Sequence, residues 1–185
     1  MEKLKNLKNS LLKSREFDTS KSLELATFWY FSLPVWIYLV GSSKAWVTLI
    51  FSIFYFTTAY KLHKLPKASF GDGKINLSLF SIIGVIVLIF LWGHICGQGS
   101  LGKQTADWYK HNAMFNSLIK YEWPIFHPLE KGANKGFYVV YYFGYYIYSA
   151  LFGKLFGYLP GLRSQVITAN LGLFIAVMWA FRGLG

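Results

Sequence analysis

Four polar residues that could carry out chemistry lie within one short run of the chain: Asp107, Lys110, His111 and Asn112. Asp107 and His111 are four residues apart, so on a helix their side chains share a face and can meet. A carboxylate placed there can act as a general base toward a hydroxyl, while a neighbouring His or Lys orients a phosphate or moves the proton. The alternative role is structural, with Asp107 capping the helix by accepting hydrogen bonds from its first amides. Taken alone, the spacing favours the capping role.

The composition indicates an integral membrane protein. Of 185 residues, 54% are hydrophobic and 20% aromatic, and the apolar runs are not broken by the polar faces that a large soluble core would need. The formal net charge of +11 comes from basic residues that flank these runs, so membrane lipids rather than nucleic acid are the predicted partners. The single cysteine, Cys96, excludes an intrachain disulfide and is predicted to be a small buried hydrophobe.

The apolar runs predict an all-α, polytopic transmembrane protein of about five spans. A span takes roughly 17 to 25 helical residues. The predicted spans cover residues 23–41, 45–62, 77–96, 137–156 and 167–184. The first two are separated by only a few residues, so residues 23–62 read as a transmembrane hairpin with Pro34 as a kink in its first arm. The remaining spans, in residues 77–185, form a second group of three helices.

The distribution of Lys and Arg predicts the orientation, because these residues are retained on the cytoplasmic side. They concentrate in residues 1–22 and in the loop of residues 63–76, so both segments are predicted to be cytoplasmic. Residues 97–136 carry lysines at lower density and are predicted to face outward. The predicted location is the cytoplasmic (inner) membrane, crossed several times, with the N-terminus in the cytoplasm.

The same scheme places the rest of the chain. Arg163 follows the fourth predicted span and is expected on the cytoplasmic side, and Lys154, near the end of that span, can extend its side chain to the same face. The fifth predicted span then returns the chain to the outside, with Arg182 at its outer edge.

The N-terminal segment, residues 1–22, is basic and amphipathic. Leu4, Leu7, Leu11 and Leu12 recur at helical spacing with lysines on the other face, as in a helix that lies on an anionic membrane surface. A solvated basic tail that only sets the topology is the alternative, and the pattern does not separate the two.

The outer segment, residues 97–136, is predicted to contain an amphipathic helix lying in the membrane plane. Three glycines precede the predicted helix and predict a flexible segment there. Its aromatic residues include Trp108 and Trp123, which are expected at the level of the lipid headgroups. The histidines His94, His111 and His127 are too scattered to show metal-ligand spacing, so no metal site and no cofactor is predicted, with a divalent metal ion left open.

Two runs in this region carry a resemblance to a known family. The runs GQGSLGKQTADWYKHNAMFNSLIKYEWPIF and FYVVYYFGYYIYSALFGKLFG resemble the N-terminal part of a group of uncharacterised bacterial polytopic membrane proteins. The shared features are a Gly-rich outer loop, an Asp, an Asn-Ala pair, a Leu-Ile helix ending in Trp-Pro and an aromatic span. The resemblance covers residues 91–157, and in layout these proteins are similar to the GT-C superfamily of membrane glycosyltransferases.

The resemblance implies a function. Asp107 would be the catalytic acidic residue, and Lys110, His111 and Asn112 would contact the lipid phosphate or the sugar. The substrate would be a polyprenyl-phosphate sugar, with transfer to an acceptor hydroxyl outside the cytoplasmic membrane. Such enzymes have more spans than the five predicted here, so the chain is expected to be the front part of one. The alternative is a non-catalytic membrane scaffold or partner subunit whose outer helix contacts lipid or another protein.

Overall fold

The structure is a computed structural model that describes residues 10–70, 73–129 and 135–184. Most of these residues are helical, and two short antiparallel sheets accompany the helices. The elements in chain order are β1 (Ser14–Asp18), α1 (Ser20–Ser42), α2 (Ala45–Lys64), β2 (Lys74–Ser78), α3 (Leu79–Ile95), α4 (Asp107–Lys120), β3 (Phe126–Pro128), β4 (Gly136–Tyr138), α5 (Gly144–Phe156) and α6 (Tyr158–Leu184).

Three of the described helices, α1, α2 and α6, are long and apolar enough to span a membrane. Helix α3 is apolar throughout but shorter, with 17 residues. The prediction of a mostly helical protein with helices able to span a membrane is therefore confirmed, and the number of five spans is not. Of the fourth predicted span, residues 137–156, only the 13 residues of α5 are helical. A helix of that length reaches about 20 Å, short of a hydrocarbon core of about 30 Å.

Helices α1 and α6 pack side by side in opposite directions. Arg182, near the end of α6, forms an ion pair with Glu24 near the start of α1, at 3.3 Å. Further along, the Trp179 indole donates to the Thr27 hydroxyl at 2.8 Å. The start of α1 and the end of α6 therefore lie at one end of the bundle, which we call the basal end. The prediction that Arg182 lies on the face opposite the N-terminal segment is wrong, because α6 begins at the other end and runs back along α1.

A two-stranded sheet closes the basal end. Strand β1 pairs antiparallel with β2 in a register that puts Ser14 opposite Ser78 and Asp18 opposite Lys74. For residues 14–18 the predicted amphipathic helix is wrong, because the backbone of these residues forms a strand that pairs with β2. The leucine pattern that predicted the helix ends before this strand, at Leu12. Residues 1–9, which hold Leu4 and Leu7 of that pattern, lie outside the described residues. The sheet also carries ion pairs from Asp18 to Lys67 and from Glu16 to Lys74.

Helices α4 and α5 form a cap at the opposite end of the bundle, which we call the cap end. His111 of α4 hydrogen-bonds to Tyr146 of α5, and eight residues further along α5 the Lys154 ammonium donates to the carbonyl of Tyr121, at 2.7 Å. Because the contacts advance in the same direction along both helices, α4 and α5 run parallel. Lys154, predicted on the cytoplasmic side, thus lies against the predicted outer segment.

The buried core of the protein lies in this cap. Phe115 and Leu118 of α4 are fully buried against α5, together with Ile125 and Ala150. The apolar face of α4 is thus covered by protein, and an in-plane helix with that face toward lipid is not confirmed. By contrast, α1, α2 and α3 expose many large apolar side chains, as expected for helices that face hydrocarbon.

Candidate functional site

The segment between α3 and α4 holds the candidate site against the bundle. The last carbonyls of a helix have no partner within the helix. Here the Trp108 indole donates to the carbonyl of Cys96 at 3.0 Å, and the Gln104 amide donates to the carbonyl of Gly97 at 2.9 Å. Gln104 of the loop and Trp108 of α4 therefore fix the start of α4 to the end of α3.

Two glycines in this segment are required by the backbone. Gly97 and Gly99 have φ of 74° and 60°, in the left-handed region that side chains rarely adopt. A side chain at Gly99 would also meet Val166 and the carbonyl of Leu162, 2.8 Å from its Cβ. The glycines predicted as a flexible approach thus allow the loop to pack closely on α6.

Asp107 is the first residue of α4, and its side chain is exposed. The residue before it, Ala106, is the N-cap and offers no side-chain oxygen. Within the described ranges no hydrogen bond or ion pair engages the Asp107 carboxylate, so the capping role is not the one it has here.

Lys110 lies almost one turn after Asp107 on the exposed side of α4. Its ammonium sits 5.7 Å from the centre of the Tyr141 ring, within the range of a cation–π contact. The aromatic contact holds the cation near the surface of the cap while leaving it accessible to an anion.

His111 points into the cap. Its Nδ1 hydrogen-bonds to the hydroxyl of the buried Tyr146, and its ring packs beside Trp108 and Tyr141 with centroids 5.6 and 6.4 Å away. The predicted meeting of Asp107 and His111 is not among the contacts described for these residues, because the histidine turns toward α5.

Asn112 also points inward. Its amide nitrogen donates to Gln104 at 2.8 Å, while its Oδ1 is buried and has no hydrogen-bond partner among the described residues. The same holds for Oε1 of Gln98 and for both amide atoms of Gln165, a residue of α6 that is 1% exposed. These buried amides were not among the predicted site residues. Glutamine in a largely apolar helix is the signal that could have indicated Gln165.

The structure therefore divides the four predicted site residues into two pairs. Asp107 and Lys110 present their charges at the surface of the cap, whereas His111 and Asn112 hold α4 to its neighbours. In the part of the chain that the structure describes, no three His, Cys, Asp or Glu residues form a group that could hold a metal ion. The chemistry that Asp107 and Lys110 offer at the surface is that of one carboxylate and one ammonium group.

Comparison of the chain with models of protein families, with characterised proteins and with solved structures found no match.

Proposed function

We propose that this chain is all or part of a membrane glycosyltransferase that takes a sugar from a polyprenyl-phosphate carrier and passes it to an acceptor hydroxyl. The observation that carries the proposal is the exposed carboxylate of Asp107, which no described residue neutralises, on a helix held rigidly at one end of a bundle of apolar helices. In this proposal the cap end faces the outside of the cytoplasmic membrane, and the basal end faces the cytoplasm.

Each reacting group has a defined task. The acceptor hydroxyl gives its proton to Asp107 as its oxygen bonds to the anomeric carbon of the sugar. The bond from that carbon to the carrier phosphate breaks, and polyprenyl phosphate leaves with the electron pair. Lys110 lies about 4.5 Å further along the helix axis, so its ammonium can bind the phosphate. His111 and Asn112 act as positioning residues that fix α4 to α5 and to Gln104.

One observation favours the second candidate, a non-catalytic membrane scaffold or partner subunit. His111, one of the predicted site residues of α4, is engaged in packing: it hydrogen-bonds to Tyr146 and its ring lies beside Trp108. In the scaffold candidate, α4 only stabilises the packing of the helices, and Asp107 is a solvated charge at the surface.

Sugar transfer by the intact protein separates the two candidates. Membranes containing the protein would be given a polyprenyl phosphate carrying a radiolabelled hexose, and transfer would be followed for wild type and for Asp107→Asn. We expect Asp107→Asn to lower transfer by about 100-fold or more. The matched control is Glu122→Gln, which removes an exposed carboxylate from the same cap and should leave transfer unchanged. Transfer retained by Asp107→Asn would remove Asp107 from the mechanism, and wild-type membranes without transfer would favour the scaffold.

A further inference from the structure

A long apolar groove runs between α1, α5 and α6, away from the residues assigned to sugar transfer. Its volume is about 820 Å³, within the range of roughly 300 to 1,000 Å³ typical of sites that hold one small molecule. Aromatic and aliphatic side chains form its walls, among them Trp29, Tyr148, Phe152, Ile167 and Leu171. Ile167 is 72% exposed and Leu171 is 50% exposed, so the groove is open along α6.

The groove carries its charge at one end only. Arg163 is the sole charged residue among those that line it, and none of the ion pairs formed by described residues involves it. From Arg163 the groove follows α6 to Ile175, a distance of about 18 Å along the helix axis. The groove thus has a cationic head and a long apolar body.

The cationic end lies at the level of the cap. The backbone of Arg163 is next to Gly99, in the segment that follows the end of α3, where a Cβ added at Gly99 would lie 3.6 Å from the Arg163 Cα. If α3 crosses the bilayer, its end marks the headgroup level, and Arg163 shares that level. The apolar body of the groove then lies at the depth of the acyl chains.

We propose that this groove binds one molecule of an anionic glycerophospholipid, with the phosphate on Arg163 and one acyl chain along the body of the groove. The match of charge is direct, since a guanidinium binds phosphate through two parallel hydrogen bonds and no acidic side chain lines the groove to compete with it. Over its length of about 18 Å the groove's volume of about 820 Å³ corresponds to a cross-section of about 45 Å², which suits an acyl chain and is too small for a helix with its side chains, about 10 to 12 Å wide. The proposal does not depend on sugar transfer.

Native mass spectrometry of the detergent-solubilised protein tests this proposal, with phosphatidylglycerol and phosphatidylcholine as probes at equal concentration. We expect wild type to retain one phosphatidylglycerol in preference to phosphatidylcholine. Arg163→Gln should lower phosphatidylglycerol retention by about tenfold, to the level of phosphatidylcholine, and Arg163→Lys should restore part of it. Lys103→Gln, which removes an exposed charge from the loop at the same end, is the matched control and should behave as wild type.

The body of the groove is tested separately. Ala26→Phe places a ring in the groove from α1 and should lower retention of both lipids, whereas Ala180→Phe adds the same ring to α6 outside the groove and should not. The proposal is overturned if Arg163→Gln keeps the wild-type preference or if Ala26→Phe keeps wild-type retention. A wild-type dimer that Ala26→Phe dissociates would also overturn it, because the groove would then hold a second copy of the chain.

Discussion

The guanidinium of Arg182 lies 3.3 Å from the carboxylate of Glu24 and joins the end of the last helix to the start of the first. This single contact fixes the path of the chain, because α6 can reach Glu24 only by running from the cap end to the basal end. It follows that the protein places both termini of the helical bundle at one end and concentrates α4, α5 and their loops at the other.

The first prediction concerns this ion pair. The Arg182 side chain is only 12% exposed, and its guanidinium also donates to the carbonyl of Phe70, so Glu24→Gln removes a charged partner from a largely buried cation. We expect Glu24→Gln to lower the free energy of unfolding by about 1–3 kcal/mol. The control is Glu16→Gln, whose partner Lys74 is more than half exposed, and it should cost less than about 1 kcal/mol. Unfolding in detergent measures both, and equal effects would contradict the prediction.

The second prediction concerns the crossing of α5 and α6. A Cβ added at Gly161 would lie 2.6 Å from the Cα of Gly153 and 3.0 Å from the carbonyl of Ser149, and neither backbone can move without separating the helices. Gly161→Ala should therefore destabilise the protein by about 1–3 kcal/mol.

Gly84→Ala is the control for this substitution, because Gly84 of α3 has open space around it. Because alanine has a better helix propensity than glycine, the Gly84→Ala protein should be as stable as wild type or slightly more stable. A Gly161→Ala protein with the thermal midpoint of Gly84→Ala would show that the two helices do not meet at this point.

The third prediction separates the exposed and the inward-pointing site residues. His111→Ala removes the partner of the buried Tyr146 hydroxyl and should lower the free energy of unfolding by about 1–3 kcal/mol. Lys110→Ala removes an exposed side chain and should change the free energy of unfolding by less than about 0.5 kcal/mol. It should nevertheless lower the proposed sugar transfer. Thermal unfolding and transfer measured on the same preparations check both, and a stable His111→Ala protein would contradict the packing assigned to His111.

The fourth prediction is a pH dependence at the basal end. The hydroxyl and amide of Ser20 donate to the Asp18 carboxylate and, with the Lys67 ammonium, lower the pKa of Asp18 from 3.8 to about 2. Because the folded pKa is the lower one, the unfolded state takes up the proton first. The contribution of Asp18 to stability is therefore present above pH 3.8 and is lost as the pH falls toward 2. Asp18→Asn should flatten the decline of the thermal midpoint between pH 4 and pH 2, and an unchanged decline would contradict it.

Much of the fold follows from local properties of the chain. The apolar runs of α1, α2 and α3 were predicted within a few residues, since length and hydropathy alone decide where such helices form. The aromatic run of residues 137–156 was misleading because part of it, including Phe143 and Ile147, packs in the buried core of the cap, and a protein interior and a lipid interior select the same residues.

The candidate site was predictable in part. The helix that carries Asp107 and Lys110 was predicted from the spacing of its apolar residues. The direction of His111 could not be predicted, because its partner Tyr146 is 35 residues away and only the packing of α4 on α5 brings the two together. The same long-range packing buries Gln165.

The most direct test of the account is the side of the membrane on which position 107 lies. Asp107→Cys in a Cys96→Ser background would be labelled with a membrane-impermeant maleimide in intact cells, with Lys64→Cys, at the exposed basal end of α2, as the reference. We predict that position 107 is labelled in intact cells, whereas position 64 is labelled only after the membrane is permeabilised. Labelling of position 107 only after permeabilisation would contradict it, because the proposed transfer requires this carboxylate outside.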